Sequence, residues 1–183
     1  MNSRSLIRIS ALLAALAALG GCASLSKDEC LSADWQDIGI RDGANGQPEE
    51  YLLQHATACA KVGVTPDRAR WLAGREQGLE RFCTPQRAYQ AGESGGSFDA
   101  AICRNYDQER LFAAYSQGRD LNRLGGEINS IDNEMRDIRS RLDQKDLDQK
   151  ERERLAYRLG QLEYQRNDAQ RTYDEMRERA RNL

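Results

Sequence analysis

From Asp120 to Leu183 the apolar positions fall at alternating steps of three and four, broken once at Arg166: Leu121, Leu124, Ile128, Ile131, Met135, Ile138 and Leu142, then Leu155, Leu159, Leu162, Ala169, Tyr173, Met176 and Ala180. Both runs have heptad spacing, the pattern of a helix with one apolar seam. Carried on unbroken from Leu142, the seam would pass through Lys145, Gln149, Arg152 and Ala156, and burying those charges is costly. The register therefore breaks. Asp148 with Glu151 matches a capping box, which starts a second helix at Gln149 after a tight turn around Lys145 to Leu147. The two runs become an antiparallel hairpin in which Leu142 meets Leu155, Ile138 meets Leu159, Met135 meets Leu162, Ile128 meets Ala169 and Leu124 meets Tyr173. Ile131 alone faces a charge, Arg166. At 1.5 Å per residue the arms would be about 35 to 50 Å long. Gly125-Gly126 is a candidate kink in the first arm. Such a hairpin serves either as a solvated spacer or as a partner-binding helix pair, and an unbroken rod dimerising in parallel through a stutter is the third arrangement.

Upstream the pattern is shorter and more punctuated. Ser32 is placed to cap a helix carrying Trp35 and Ile38, ended by Asp42-Gly43-Ala44-Asn45-Gly46. Pro48 suits a first turn, after which Tyr51, Leu52, His55, Cys59 and Val62 share a face up to Gly63. Thr65-Pro66-Asp67 starts a helix through Trp71, Leu72, Leu79 and Phe82, and Thr84-Pro85 another ending near Gly92. Gly92 to Ser97 reads as a turn or irregular loop, and Asn105-x-x-Gln108 as a capping box for a long helix through Leu111, Phe112 and Tyr115. No stretch alternates long enough to predict a strand. The expected fold is all-α: a small disulfide-braced bundle of short helices over residues 30–118, then a coiled-coil helical hairpin over 119–183.

The N-terminal run has another character. Arg4 and Arg8 precede an apolar run from Ile9 to Leu19 of about eleven residues, too short for the roughly 20 that span a bilayer. Leu19-Gly20-Gly21-Cys22 closes it and resembles the lipobox of bacterial lipoproteins. On that likeness residues 1–21 are a signal peptide, Cys22 is the lipidation site and mature N-terminus, and residues 22–29 form a short polar tether. Acyl chains at about 0.8 kcal/mol per buried methylene would make the attachment effectively permanent. Ala23 stands where an Asp would retain an enteric lipoprotein at the inner membrane. The expected location is therefore the outer membrane, lipid-anchored and facing the periplasm.

Composition narrows the partners. The formal net charge is −2, with both signs interspersed, so nothing calls for nucleic acid. After Cys22 four cysteines remain: Cys30, Cys59, Cys83 and Cys103. An even number in an oxidising compartment predicts two disulfides with three possible connectivities. Near neighbours close first and each flanks a helix-loop unit, which favours Cys30 with Cys59 and Cys83 with Cys103.

An aromatic residue, two others and then glycine recur as Trp71-x-x-Gly74-Arg75-x-x-Gly78, Tyr89-x-x-Gly92-x-x-Gly95 and Tyr115-x-x-Gly118-Arg119. Positions three apart share a helical face, so each ring lies beside a place without a side chain. One reading makes Trp71, Tyr89 and Tyr115, with Arg75 and Arg119, stacking and hydrogen-bonding contacts for peptidoglycan glycan. The other is close helix packing, which offsets the roughly 1 kcal/mol a helical glycine costs.

Asp34-Trp35, Asp42-Gly43-x-x-Gly46, Trp71-x-x-Gly-Arg-x-x-Gly-Leu, Cys83-Thr84-Pro85 and Tyr115-x-x-Gly118-Arg119 together resemble the domain-of-unknown-function 2799 family of short Gram-negative lipoproteins. The resemblance covers roughly residues 30 to 120. It implies an envelope lipoprotein and supplies no catalytic residues. Trp71, where tyrosine is expected, and Ala88, where glycine is expected, depart from the pattern.

Catalytic chemistry is sparse. His55 is the single histidine, so a Ser-His-Asp or multi-histidine site cannot be built without it. His55 and Cys59 have a two-ligand zinc spacing, but no second pair accompanies them. Asp34, Asp37 and Asp42 could share a carboxylate site; helix capping accounts for them equally. No Walker loop, nucleotide fingerprint or complete calcium loop appears. The expectation is a non-enzymatic envelope lipoprotein without metal or cofactor, with a structural or adaptor role and an envelope protein partner met through the hairpin. Glycan binding is the first alternative and a carboxylate-dependent enzyme the second.

Overall fold

A computed structural model of the chain describes residues 23–181, all helix and loop with no strand among them. The helices are α1 (Lys27–Leu31), α2 (Trp35–Ala44), α3 (Tyr51–Ala60), α4 (Arg68–Phe82), α5 (Pro85–Glu93), α6 (Gln108–Leu142) and α7 (Gln149–Ala180), with a 3-10 turn at Ala100–Cys103. The chain divides into two compact units between Arg81 and Phe82. The boundary expected at 118/119 falls inside α6, because the helix that starts the hairpin is also the one that packs on α5.

Unit 1 holds α1 to α4 around a core of Leu25, Cys30, Trp35, Ile38, Leu52, Cys59 and Trp71. Residues 23–29 are not the free tether expected of them. Ser26 and Glu29 form a reciprocal capping box that starts α1, and Leu25, ahead of it, is only 6% exposed. Asp34, not Ser32, caps α2, accepting from the Gln36 and Asp37 amides; Ser32 ends α1 instead. The helix also runs through Asp42-Gly43-Ala44, and the chain turns only at Gly46, with φ 69°. Cys30 and Cys59 are bonded, tying α1 to α3.

The glycines of α2 and α4 set how closely those helices approach. A Cβ on Gly39 would fall under 3.0 Å from the Trp71 carbonyl oxygen and the Arg75 amide, and one on Gly74 under 3.0 Å from the Gln36 carbonyl. Gly43 and Gly78 repeat the arrangement one turn further on, against Arg75 and Ile40. Backbone meets backbone, so there is no flexible atom to yield.

Unit 2 uses the same device. Cys83 and Cys103 are bonded; Thr84 caps α5 with Pro85 in its first turn. α5 crosses α6 where a Cβ on Gly92 would strike the Tyr115 carbonyl and one on Gly118 the Tyr89 carbonyl. The spacings coincide with those of unit 1. Gly39 follows Cys30 by nine residues, as Gly92 follows Cys83, and Gly74 follows Cys59 by fifteen, as Gly118 follows Cys103. Where unit 1 continues with Gly78 under the Ile40 carbonyl, unit 2 has Asn122, whose amide donates to the Glu93 carbonyl at 2.8 Å. The aromatic-x-x-glycine element thus belongs to a disulfide-plus-helix-crossing module present in both units.

Asp107, not Asn105, caps α6, accepting from the Arg110 amide. The helix continues through Gly125-Gly126 to Leu142, the cost of about 1 kcal/mol per glycine being offset by Leu121, Leu124 and Ile128, buried before and after the pair. Asp148 caps α7 by accepting from the Glu151 amide at 2.9 Å, so the return helix starts at Gln149. Met135, Ile138, Leu155 and Leu162 form the buried hairpin core, with Ile131, Leu142, Leu147 and Leu159 packed against it. Arg166 does not confront Ile131 bare: its guanidinium reaches Asp132 at 3.3 Å. Arg158 to Glu134 (2.8 Å), Arg139 to Glu163 (3.1 Å) and Arg141 to Glu151 (2.7 Å) flank the seam. No helix among the described residues is long and apolar enough to cross a membrane.

Candidate functional site

Unit 1 buries a polar chain. Asp42 stands on α2 one turn beyond Ile38, so the apolar stripe that turns the helix inward carries the carboxylate with it. His55 shares the inner face of α3 with Leu52 and Cys59 and is 1% exposed. Its Nε2 lies 2.8 Å from Asp42 Oδ2, and its Nδ1 2.8 Å from the Ser24 hydroxyl. Trp71 Nε1, on α4, donates to the same Asp42 oxygen at 2.7 Å. With Asp42 accepting twice, the network assigns the proton to Nε2 and leaves Nδ1 to accept from Ser24. Tyr51 packs edge-on against the imidazole, ring centroids 4.9 Å apart. Among the described residues no buried side-chain nitrogen or oxygen lacks a partner.

Hydroxyl, imidazole and carboxylate in line is the order of an acyl-transfer triad. Here the imidazole is buried, Ser24 is half-buried, and the groove nearest in sequence, lined by Glu29, Asp34, Asp37 and Arg41, includes neither Ser24 nor His55. What this geometry supplies is attachment: it joins residue 24 to α2, α3 and α4 through directional bonds in a low-dielectric interior, where each is strong and an orphaned partner is expensive.

The residues expected to form a site are distributed otherwise. Cys22 lies outside the described residues. The four remaining cysteines are paired as favoured from their spacing. Trp71 is fully buried, Tyr89 is 6% exposed and Arg75 is 5% exposed; the Arg75 Nε donates to the Gln47 carbonyl at 2.7 Å. Tyr115 is half-buried and donates to the Gly96 carbonyl at 3.1 Å. Burial holds the Tyr89 phenol above its usual pKa. Arg119 alone of the set is exposed. The five do not form one exposed platform: Trp71, Tyr89 and Arg75 are taken up by the helix packing, which leaves the half-buried Tyr115 and the exposed Arg119. Asp34, Asp37 and Asp42 do not converge either. Asp34 caps α2 and pairs with Arg70 at 3.1 Å, Asp37 is exposed, and Asp42 points into the core. Cys59, weighed as a metal ligand with His55, is in a disulfide.

Ser24 and Leu25 escaped sequence reasoning because their partners lie far along the chain. The local signal was Ser26-x-x-Glu29, a capping box directly after an apolar residue in a polar stretch. The outward faces of the hairpin were equally unmarked. Tyr157 and Tyr164 on α7 are 71% and 75% exposed, on either side of a Gly160 with no neighbour within 4 Å.

These features define an all-α class of protein: glycine-crossed helix pairs, each braced by a disulfide, carrying a helical hairpin. Residues 34–120 match the family model described as "Protein of unknown function (DUF2799)", so this part of the chain is similar to that family. It is also 29% identical over 94 residues to the "Uncharacterized protein YfiL" of Escherichia coli (strain K12), a match covering 50% of this chain and 70% of the relative. No solved structure matches.

Proposed function

We propose that the protein is a lipid-anchored envelope scaffold, attached through Cys22 at the periplasmic face of the outer membrane, whose hairpin is an arm for protein contacts. The observation that supports this reading most is the fixing of Ser24 by His55 with Leu25 in the core. Only Ala23 separates Cys22 from the packed body, so acylation there would hold unit 1 against the lipid surface instead of on a long leash. The absence of metal, cofactor and nucleic-acid partners remains part of the proposal, as does a non-catalytic role.

Expression in a Gram-negative host, with intact-mass analysis and membrane fractionation, tests the anchor. The expected result is a chain beginning at an acylated Cys22 that pellets with outer membranes, and a Cys22→Ser chain that does not. An unprocessed or unmodified chain overturns the anchoring. Photocrosslinking from Glu175, exposed on α7, reads out the arm's contacts in cells; an arm that crosslinks to no protein removes the adaptor role.

A further inference from the structure

The outer face of α7 carries a second row of residues at heptad spacing, unrelated to the apolar seam that builds the hairpin, with two tyrosines and a glycine at its centre and charges at its ends. Lys150, Glu153, Tyr157, Gly160, Tyr164, Asn167, Arg171 and Asp174 follow one another at alternating steps of three and four, and all are exposed. On a helix otherwise dense in charge, the groove at its centre is lined by Ala156, Tyr157, Gly160, Gln161, Tyr164 and Gln165, without one charged side chain.

The seam is complementary to itself when reversed. In an antiparallel pair of α7 helices centred on Leu162, Tyr164 faces Gly160 of the other copy and Tyr157 faces Asn167. Further out Glu153 faces Arg171, and Lys150 faces Asp174. Each ring meets a gap or an amide, and each charge meets its opposite. The contacts these groups now make are exposed ones along α7: Glu153 accepts from Gln149, Arg171 pairs with Asp168 and Asp174 accepts from Gln170. Such surface pairs contribute little and exchange readily. Around the axis Glu163 would approach its counterpart, a repulsion reduced by its bridge to Arg139.

Tyr157-x-x-Gly160 is also the fourth occurrence of the aromatic-x-x-glycine element. In unit 2 the element is satisfied by its own kind: Gly92 lies under the Tyr115 carbonyl and Gly118 under the Tyr89 carbonyl. The copy on α7 has the same residue types and nothing over its glycine.

We propose that this face is a homodimer interface, an antiparallel two-fold pairing of α7 with α7 of a second copy of this chain. The partner assignment rests on the reading of the hairpin as an interaction arm. Antiparallel pairing keeps the a-to-d alternation that heptads require, and makes the contact isologous and closed, so that assembly stops at two.

Sedimentation equilibrium of residues 22–183 carrying Cys22→Ser, exported behind an ordinary cleavable signal so that no acyl chain is attached and both disulfides form, tests it at low and high salt. The expected result is a reversible dimer weakened by salt. Glu153→Arg and Arg171→Glu should each weaken it about tenfold, since the two-fold axis turns two attractive pairs repulsive in either variant. Combining them restores opposite charges and should restore dimerisation. Both positions are exposed, so an unchanged helical circular dichroism spectrum certifies each variant. A chain that stays monomeric at 100 µM (about 10⁻⁴ M, a weak limit on the affinity scale) overturns the pairing, as does a dimer indifferent to both reversals or one not rescued by the double change. None of these outcomes touches the anchoring, which is read from mass and fractionation.

Discussion

Gly74→Ala is the most direct test of the helix crossing in unit 1, because helix propensity and packing pull in opposite directions there. In an open helix interior the added methyl stabilises by about 1 kcal/mol. At Gly74 that methyl would lie under 3.0 Å from the Gln36 carbonyl oxygen and carbonyl carbon. Both belong to backbone held in α2, so the helices must separate by about 1 Å to restore van der Waals contact. Separation loosens the packing of Trp35, Ile38 and Trp71 between them. Overpacking of this kind costs about 1 to 3 kcal/mol, and with neighbouring backbone as the obstacle a net loss near 2 kcal/mol is expected. Both tryptophans of the chain, Trp35 and Trp71, are in unit 1, so their fluorescence follows that unit during urea unfolding. With a slope of about 1 kcal/mol/M for a unit this small, the midpoint should fall by roughly 2 M. Gly126→Ala is the control. Gly126 lies within α6 with nothing within 4 Å, and the same change there should stabilise unit 2 by about 1 kcal/mol, read by far-ultraviolet circular dichroism. If Gly74→Ala leaves the fluorescence midpoint unchanged or raises it as a propensity gain would, the crossing is not as close as described.

Three further outcomes follow from the same geometry. His55→Ala removes one of the two donors to Asp42 and the ring partner of Ser24 and should cost about 3 kcal/mol, with tryptophan fluorescence shifted as the Trp71 to Asp42 bond relaxes; a loss below about 1 kcal/mol, within the range of an ordinary hydrogen bond, would refute the attachment role. Reduction should remove about 3 to 4 kcal/mol per disulfide on the chain-entropy estimate for loops of 29 and 20 residues, measured as urea midpoints with and without reductant. Finally, Arg158 hydrogen-bonded to Glu134 and Arg154 to Glu151 hold those carboxyls below the usual carboxylate range. Groups lowered on folding stabilise above their unfolded pKa and lose that contribution as pH falls through the folded value, so the hairpin should weaken only under acid. Arg158→Ala should flatten that acid limb in a pH series of thermal melts.

How much of this was legible in the sequence depended on distance along the chain. The hairpin turn was readable because its signals are local: the seam stops at Leu142, and Asp148-x-x-Glu151 announces the next helix. The disulfides followed for a similar reason, each closing on its neighbour around one helix-loop unit. Two caps lie two residues beyond the expected position, Asp34 instead of Ser32 and Asp107 instead of Asn105, since nearby polar residues offer near-equal capping energies and tertiary packing decides between them. The meaning of the aromatic-x-x-glycine element could not be read from one helix. Whether the ring or the glycine faces the neighbour depends on which helix crosses it, and at Gly39, Gly74, Gly92 and Gly118 the partner is a backbone carbonyl that leaves no trace in composition. The Ser24, His55, Asp42 and Trp71 chain failed for the same reason: its members are separated by 13 to 31 residues, and nothing at any one position signals the others.

The order in which the sulfurs pair has a consequence for biogenesis. Cys30 bonds to Cys59, the next cysteine along the described chain, and Cys83 to Cys103, the next after it, so the loops are consecutive and neither encloses the other. A polypeptide threaded through a membrane N-terminus first would present the first two thiols together before the third arrived. Oxidation in step with emergence would then yield the native set directly, with no shuffling, and finish one crossing module before the next is delivered.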